Sequence, residues 1–303
     1  SIVIDAHEQE PSGLVYTDEM ARRMKEMLDA GDNYSKIRAD IGKIGIDAVT
    51  SDPKVRAEYA ALWKRSGVTC VCGAVGVQNM NEIFKGIANY LLKFHRWNDI
   101  LMPATSAGDI RKAKQEGKHA AMWDVEDTMA IGFDLDKLNS LYDLGVRIVT
   151  LTYNRRNLVG DGCTERCRSG LSDFGLDVVE RLNKLGMVVD VGHSGYQTTL
   201  DAIEASKDPI IFSHTGCKAV YDHDRSKTDE EIKALAEKGG VIAIYTVPSF
   251  IGKEGTIEEV LNHIDHAVKI GGVDHVGIGT DYGGCPDKLL PFEKQIAKAK
   301  VAN

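Results

Sequence analysis

Two stretches decide the fold: Met-Val-Val-Asp-Val-Gly-His-Ser at 187–194 and Pro-Ile-Ile-Phe-Ser-His-Thr-Gly at 209–216. Each contains a short run rich in Val or Ile that leads into a histidine, His193 in the first and His214 in the second. Residues 196–206, between them, carry Leu200, Ile203 and Ala205 near helical spacing. Strand, crossover helix and second strand is the reading that fits these periodicities. Parallel strands joined in this way place both imidazoles at neighbouring carboxyl ends, where α/β proteins keep their chemistry.

Six further strand-like runs lie outside this unit, at 2–4, 68–75, 119–125, 146–153, 241–247 and 275–280. Helical spacing is found at 19–28, 53–66, 81–94, 107–115, 135–144, 174–185, 229–238 and 257–270, and again at 291–302. Eight short strands, most followed by a helix, match a (β/α)8 TIM barrel, which typically takes ~250 residues. A doubly wound sheet would need a glycine-rich first turn, and Asp5-Ala6-His7 offers none. The expectation is therefore one α/β barrel domain over residues 1–303. Little chain follows Asp281, which leaves room for an incomplete C-terminal part.

The 303 residues are 43% hydrophobic, enough for a sizeable core. A net charge of −8, from 45 acidic against 37 basic residues, argues against a nucleic-acid surface. No apolar run approaches the ~18–20 residues of a membrane span. Six cysteines are too few for a disulfide framework, and Cys163-x3-Cys167 lacks the second half of a zinc cluster. Cys70 and Cys72 alternate in a strand-like run and read as buried thiols. A cytoplasmic location is favoured, with a removed leader or a trimmed start as the alternative. The polar loop at 154–172, with Gly160, Gly162 and Gly170, is longer than structural connections usually are and points to function.

On this assignment strands one, three, five, six and eight end in His7, Glu126, His193, His214 and Asp281. Neutral imidazoles suit zinc, and a carboxylate can bridge two ions. Two ions ~3.5–4 Å apart can activate a water and polarise a carbonyl. Asp281, on the last strand, is placed to move the proton. His95, His263 and His266 fall on helices and His119 and His275 begin strands, so these read as packing or surface residues.

Over residues 5–284 the chain resembles the membrane (renal) dipeptidase-like metallopeptidases, within the amidohydrolase-type barrels. The resemblance is carried by Leu151-Thr152-Tyr153-Asn154, Asp190-Val191-Gly192-His193, Phe212-Ser213-His214, His223-Asp224-Arg225 and Gly277-Ile278-Gly279-Thr280-Asp281-Tyr282. It implies that Glu126 bridges two zinc ions, that His193 and His214 hold one, and that His7 helps to hold the other. It further implies that Asp281 transfers the proton and that Arg225 binds the substrate's terminal carboxylate, for which a guanidinium fork is suited.

Two positions depart from the family's pattern. Gln9 stands where a first-strand His-x-Asp would put a carboxylate, so the His7 ion should be held more weakly and the count is one or two. Tyr153 stands where animal members carry a histidine; its hydroxyl either donates to the reacting oxygen or the ring simply packs.

The function expected is zinc-dependent cleavage of the amide bond of dipeptides or related N-acyl amino acids. The alternatives are a one-metal barrel enzyme acting on a lactam, lactone or specialised metabolite, and a catalytically impaired relative that only binds a ligand. The partner expected is a dipeptide or other small molecule. A homodimer is an option that the resemblance alone carries.

Overall fold

Eight parallel strands close on themselves into a barrel. They are β1 (Ile4–Asp5), β2 (Cys70–Ala74), β4 (His119–Val125), β5 (Ile148–Thr150), β6 (Val188–Asp190), β7 (Ile211–Thr215), β8 (Val241–Ile244) and β9 (Val276–Ile278). β1 pairs with β2 on one side and with β9 on the other, which shuts the ring. The coordinates are a computed structural model in which residues 1–7, 17–32, 34–77 and 79–281 are described. Gln9, Tyr282, Cys285 and the helix expected at 291–302 lie outside the described residues.

All eight expected strands are present, most of them shorter than their apolar runs because only the laddered residues count, whereas β4 fills its run at 119–125. The run at 241–247 ends its ladder at Ile244, and Pro248 opens a short helix, α10 (Pro248–Ile251). One strand was not expected: β3 (Leu101–Pro103), too short for any periodicity to register. It pairs with the start of β4, along the edge that β5 takes over from Asp124 onward. It extends the ladder at the bottom of the barrel without becoming a ninth stave.

The expected helices form as α1 (Asp18–Asp29), α3 (Pro53–Ser66), α4 (Met80–Arg96), α5 (Ala107–Glu116), α6 (Asp136–Asp143), α7 (Asp173–Leu185), α8 (Tyr196–Ala205), α9 (Asp229–Glu237) and α11 (Ile257–Gly271). Their starts follow local chemistry. Asp52 caps α3 with Pro53 in its first turn, and Thr228 with Glu231 and Thr256 with Glu259 form capping boxes. A further helix, α2 (Tyr34–Ser51), contains Gly42 and Gly45, which weaken its helical signal. Its stability is tertiary: Ile37 and Ile41 pack with Met20, Met24 and Met27 of α1 in a small separate core. The main core runs between strands and helices from Trp63 and Trp97 round to Ile232 and Ala267, and a third, small cluster joins Cys70, Ala104, Ile110, Ala113 and Ala120.

The β7 ladder slips between Phe212 and Thr215, a bulge located where His214 leaves the strand. Bulges of this kind re-aim side chains beside functional sites. Close to it lies Gly279, where an added Cβ would come within 1.8 Å of the Ser213 carbonyl oxygen and 3.1 Å of Ala243 Cβ. Gly277, in the same motif, has only ordinary contact, with Val241 Cγ1 at 3.6 Å.

Gly279→Ala should therefore destabilise the fold by about 1–3 kcal/mol through overpacking. Gly277→Ala should cost less than about 1 kcal/mol, since losing a strand glycine is intrinsically favourable. Denaturant midpoints of the two variants check this; equal effects would refute the close-approach account.

Candidate metal centre

His193 lies just past β6 and His214 within the end of its neighbour β7, and their rings meet at the barrel mouth. The two Nε2 atoms are 2.7 Å apart. They also lie 3.1 Å and 3.5 Å from the same oxygen, Glu126 Oε1, at the end of β4. In a tetrahedral zinc site with bonds of about 2.0–2.1 Å, ligand atoms stand roughly 3.3–3.4 Å from one another. The three observed separations bracket that spacing.

The opposite ring nitrogens are already committed. His193 Nδ1 is 2.8 Å from Asn154 Oδ1, an acceptor, so it carries the proton. His214 Nδ1 lies 2.8 Å from Ser213 Oγ, whose own proton goes to Asp190 Oδ2 at 2.8 Å. Asp190 is saturated: it also accepts from Thr150 Oγ1 and from the Gly192 and Ser213 amides. With both Nδ1 atoms protonated, two Nε2 lone pairs face each other across 2.7 Å. Only a positive centre between them makes that arrangement favourable, and the donor set suits zinc.

His7, at the end of β1, completes the cluster. Its ring stacks on His214 with centroids 3.9 Å apart. His7 Nε2 lies 3.6 Å from Glu126 Oε1 and 3.9 Å from Asp281 Oδ1. Two sets of donors are thus close enough to hold an ion: Glu126 with His193 and His214, and His7 with His214 and Asp281. His214 has one ring nitrogen to spare, so it serves one set at a time. Serving the set with Glu126 and His193 leaves His7 and Asp281, whose nearest donor atoms are 3.9 Å apart, for a second ion.

Asp281 is the only non-glycine residue with positive φ among the described residues, at 51°. Aspartate tolerates this conformation better than most residues, and such outliers concentrate at functional sites. Its amide donates to the His7 carbonyl at 2.8 Å, which ties the end of β9 to the end of β1.

The electrostatics fit a place for cations. Burial, reinforced by the nearby cationic groups, holds His193 and His214 well below the usual histidine range, so they are neutral ligands. Burial also raises Glu126, to about 7, with Asp124 and Asp281 pushing the same way against His7 and Arg225. His7 is the exception. Burial pulls it down most strongly, yet the carboxylates of Asp124, Glu126 and Asp281 together lift it to about 10.

Arg225 is buried beneath the histidines. Nη1 donates to the Gly192 carbonyl and Nη2 to the His214 carbonyl at 3.0 Å. Tyr153 stacks its ring on His193 at 4.2 Å, and burial raises its phenol above the ordinary range. Among the described residues these groups line a cavity of about 240 Å³ with Asn154, His223, Phe250 and Asp281. The long loop supplies one wall. Gly162 in it has no room for a side chain, because a Cβ there would reach the Asn154 carbonyl carbon at 2.2 Å.

All seven residues singled out from the sequence converge here. The remaining histidines do structural work where contacts are seen: His119 stacks on Trp63, and His263 bonds the Cys217 amide and the Ile251 carbonyl. Sequence reading assigned no role to Asn154, Asp190, Ser213 or Asp124. The first three lie inside quoted motifs, and Asp124 stands two residues before Glu126 on one strand face, a spacing that could have flagged it.

Residues 1–295 match the family described as membrane dipeptidase (peptidase family M19). A dipeptidase of Claviceps purpurea is 31% identical over 225 residues, covering 73% of this chain and 53% of the relative. An uncharacterized dipeptidase of Schizosaccharomyces pombe is 34% identical over 200 residues, covering 62% and 47%. The chain spans about half the length of these curated relatives. An amidohydrolase of Pseudomonas aeruginosa superposes with a TM-score of 0.72 at 28% identity, over 93% of this chain and 74% of that one. With a match over nearly its whole length, the chain belongs to the membrane dipeptidase family.

Proposed function

We propose that this chain is a zinc-dependent hydrolase that cleaves the amide bond of dipeptides or related N-acyl amino acids. The observation that carries the reading is the pair of Nε2 atoms 2.7 Å apart, both directed at Glu126 Oε1. The family and the relatives named dipeptidases support the reaction class. The cavity is smaller than the ~300 Å³ at which pockets for drug-sized ligands begin, which suits a ligand of dipeptide size.

Zinc bound here would acidify a water and polarise the scissile carbonyl. His193, His214 and Glu126 form the better-built set, since both Nδ1 atoms are anchored. His7, Asp281 and the shared Glu126 form the second. Asp281, with a third of its side chain exposed toward the cavity, takes the proton of the attacking water on a carboxylate oxygen and returns it to the leaving amine. The two Arg225 bonds to main-chain carbonyls leave further N–H groups of the guanidinium to receive the substrate's terminal carboxylate. Tyr153 acts through packing: its stacked ring holds the His193 imidazole against rotation.

Protein purified without chelator should hold at least one zinc per chain and hydrolyse members of a panel of L-L and L-D dipeptides. Less than about 0.1 equivalent of metal would sink the reading. Glu126→Gln should lower kcat/KM by at least about 100-fold, in line with losing a group essential to the reaction.

Arg225→Lys separates substrate binding from catalysis. It should lower kcat/KM for free dipeptides by about 10–100-fold, the worth of hydrogen bonds to a charged group. Dipeptide amides, which lack the carboxylate, should lose much less at unchanged metal content. Equal losses on both substrates would remove Arg225 from that role.

A further inference from the structure

Three imidazoles face the proposed ions, and two have a visible anchor on the far ring nitrogen. His193 Nδ1 is held by Asn154, and His214 Nδ1 by Ser213 backed by Asp190. The third, His7, has an Nδ1 that is buried without a hydrogen-bond partner among the described residues. Facing it at 3.4 Å is Asp124 Oδ2. Both Asp124 carboxylate oxygens are likewise buried without a hydrogen-bond partner among the described residues, in a side chain about 1% exposed.

An orphaned buried carboxylate is out of character for this barrel. Asp190 accepts four hydrogen bonds. Asp5 is bonded by the Thr280 amide and hydroxyl and by the His7 amide. Asp127 is bonded by the Met129 and Tyr153 amides and by Asn157. Unsatisfied buried groups are rare and call for an explanation. A small pivot of the His7 ring would turn the 3.4 Å approach into a bond that satisfies both orphans at once.

We infer that Asp124 is a positioning residue for His7: it accepts the Nδ1 proton and thereby presents Nε2, unprotonated, to the ion that His7 and Asp281 would help to hold. Metal-bound histidines commonly donate their second N–H to a carboxylate in this way, which fixes the tautomer and strengthens the ligand. Asp124 is in neither set of donors close enough to share an ion, so it acts through His7. Asp124 in β4 and Glu126 just past its end are two residues apart and so point to the same side of the extended chain. One strand therefore supplies both the bridging carboxylate and the support of the weaker site. This rests on the metal reading proposed above.

The test is a zinc titration of the chelator-stripped full chain against a competing chelator, with melting temperature as a second readout. The wild-type chain should show a tighter and a weaker ion. Asp124→Asn should weaken the second ion by about 10–100-fold, the usual cost of losing an outer-shell partner, and leave the first in place. The metal-free variant should stay folded, with a melting temperature lowered by loss of the buried His7–Asp124 ion pair. In a His7→Ala background the same substitution should cause no further loss. An unchanged second affinity would overturn the inference. So would an equal fall at both ions, which marks a purely structural role, or a loss beyond about 1,000-fold at the second, which marks a direct ligand. A wild-type chain that binds no zinc overturns the metal reading itself and this inference with it.

Discussion

The carboxylate of Asp190 is the interaction on which the site hangs. It sits fully buried at the end of β6, yet it gathers Thr150 from β5, the Gly192 amide just before His193, and both the amide and the hydroxyl of Ser213 on β7. Three adjacent strands are locked in height by one side chain. Because Ser213 passes the restraint to His214 Nδ1, the same carboxylate sets the tautomer of a candidate ligand. A charged group so deep in a barrel is tolerated only because every lone pair is used.

Local irregularities then aim the side chains. The slip in the β7 ladder turns His214 toward His193, and Gly279 lets β9 close against the Ser213 carbonyl that this slip exposes. The positive φ at Asp281 brings its carboxylate back over His7. None of these is a regular barrel feature, and all lie at the carboxyl ends of strands. The barrel supplies rigidity, and its departures from regularity supply direction.

Charge is arranged by the same logic. Glu126, Asp124 and Asp281 surround His7, while the two other histidines are kept neutral by burial and by the cations near them. The carboxylates and the facing imidazole lone pairs are what a divalent ion would complement. The His7 side of the centre is also the side whose support, among the described residues, is an orphaned pair, His7 and Asp124, rather than a finished hydrogen bond.

The amino-acid sequence by itself determined the eight barrel strands, most of the helices and the five strand-end residues, because these depend on periodicity and on position along the chain. It also carried the family motifs that single out Arg225 and Tyr153. The helix α2 escaped because its two glycines dilute the pattern and its stability comes from contact with α1. β3 escaped because three residues hold no period. Only the tertiary structure decided which nitrogen of each histidine faces the centre, that Tyr153 stacks on His193, and that Asp124 stands behind His7 with no hydrogen-bond partner among the described residues. Those facts belong to pairs of residues far apart in the chain, and a one-dimensional pattern has no record of a distance across a barrel.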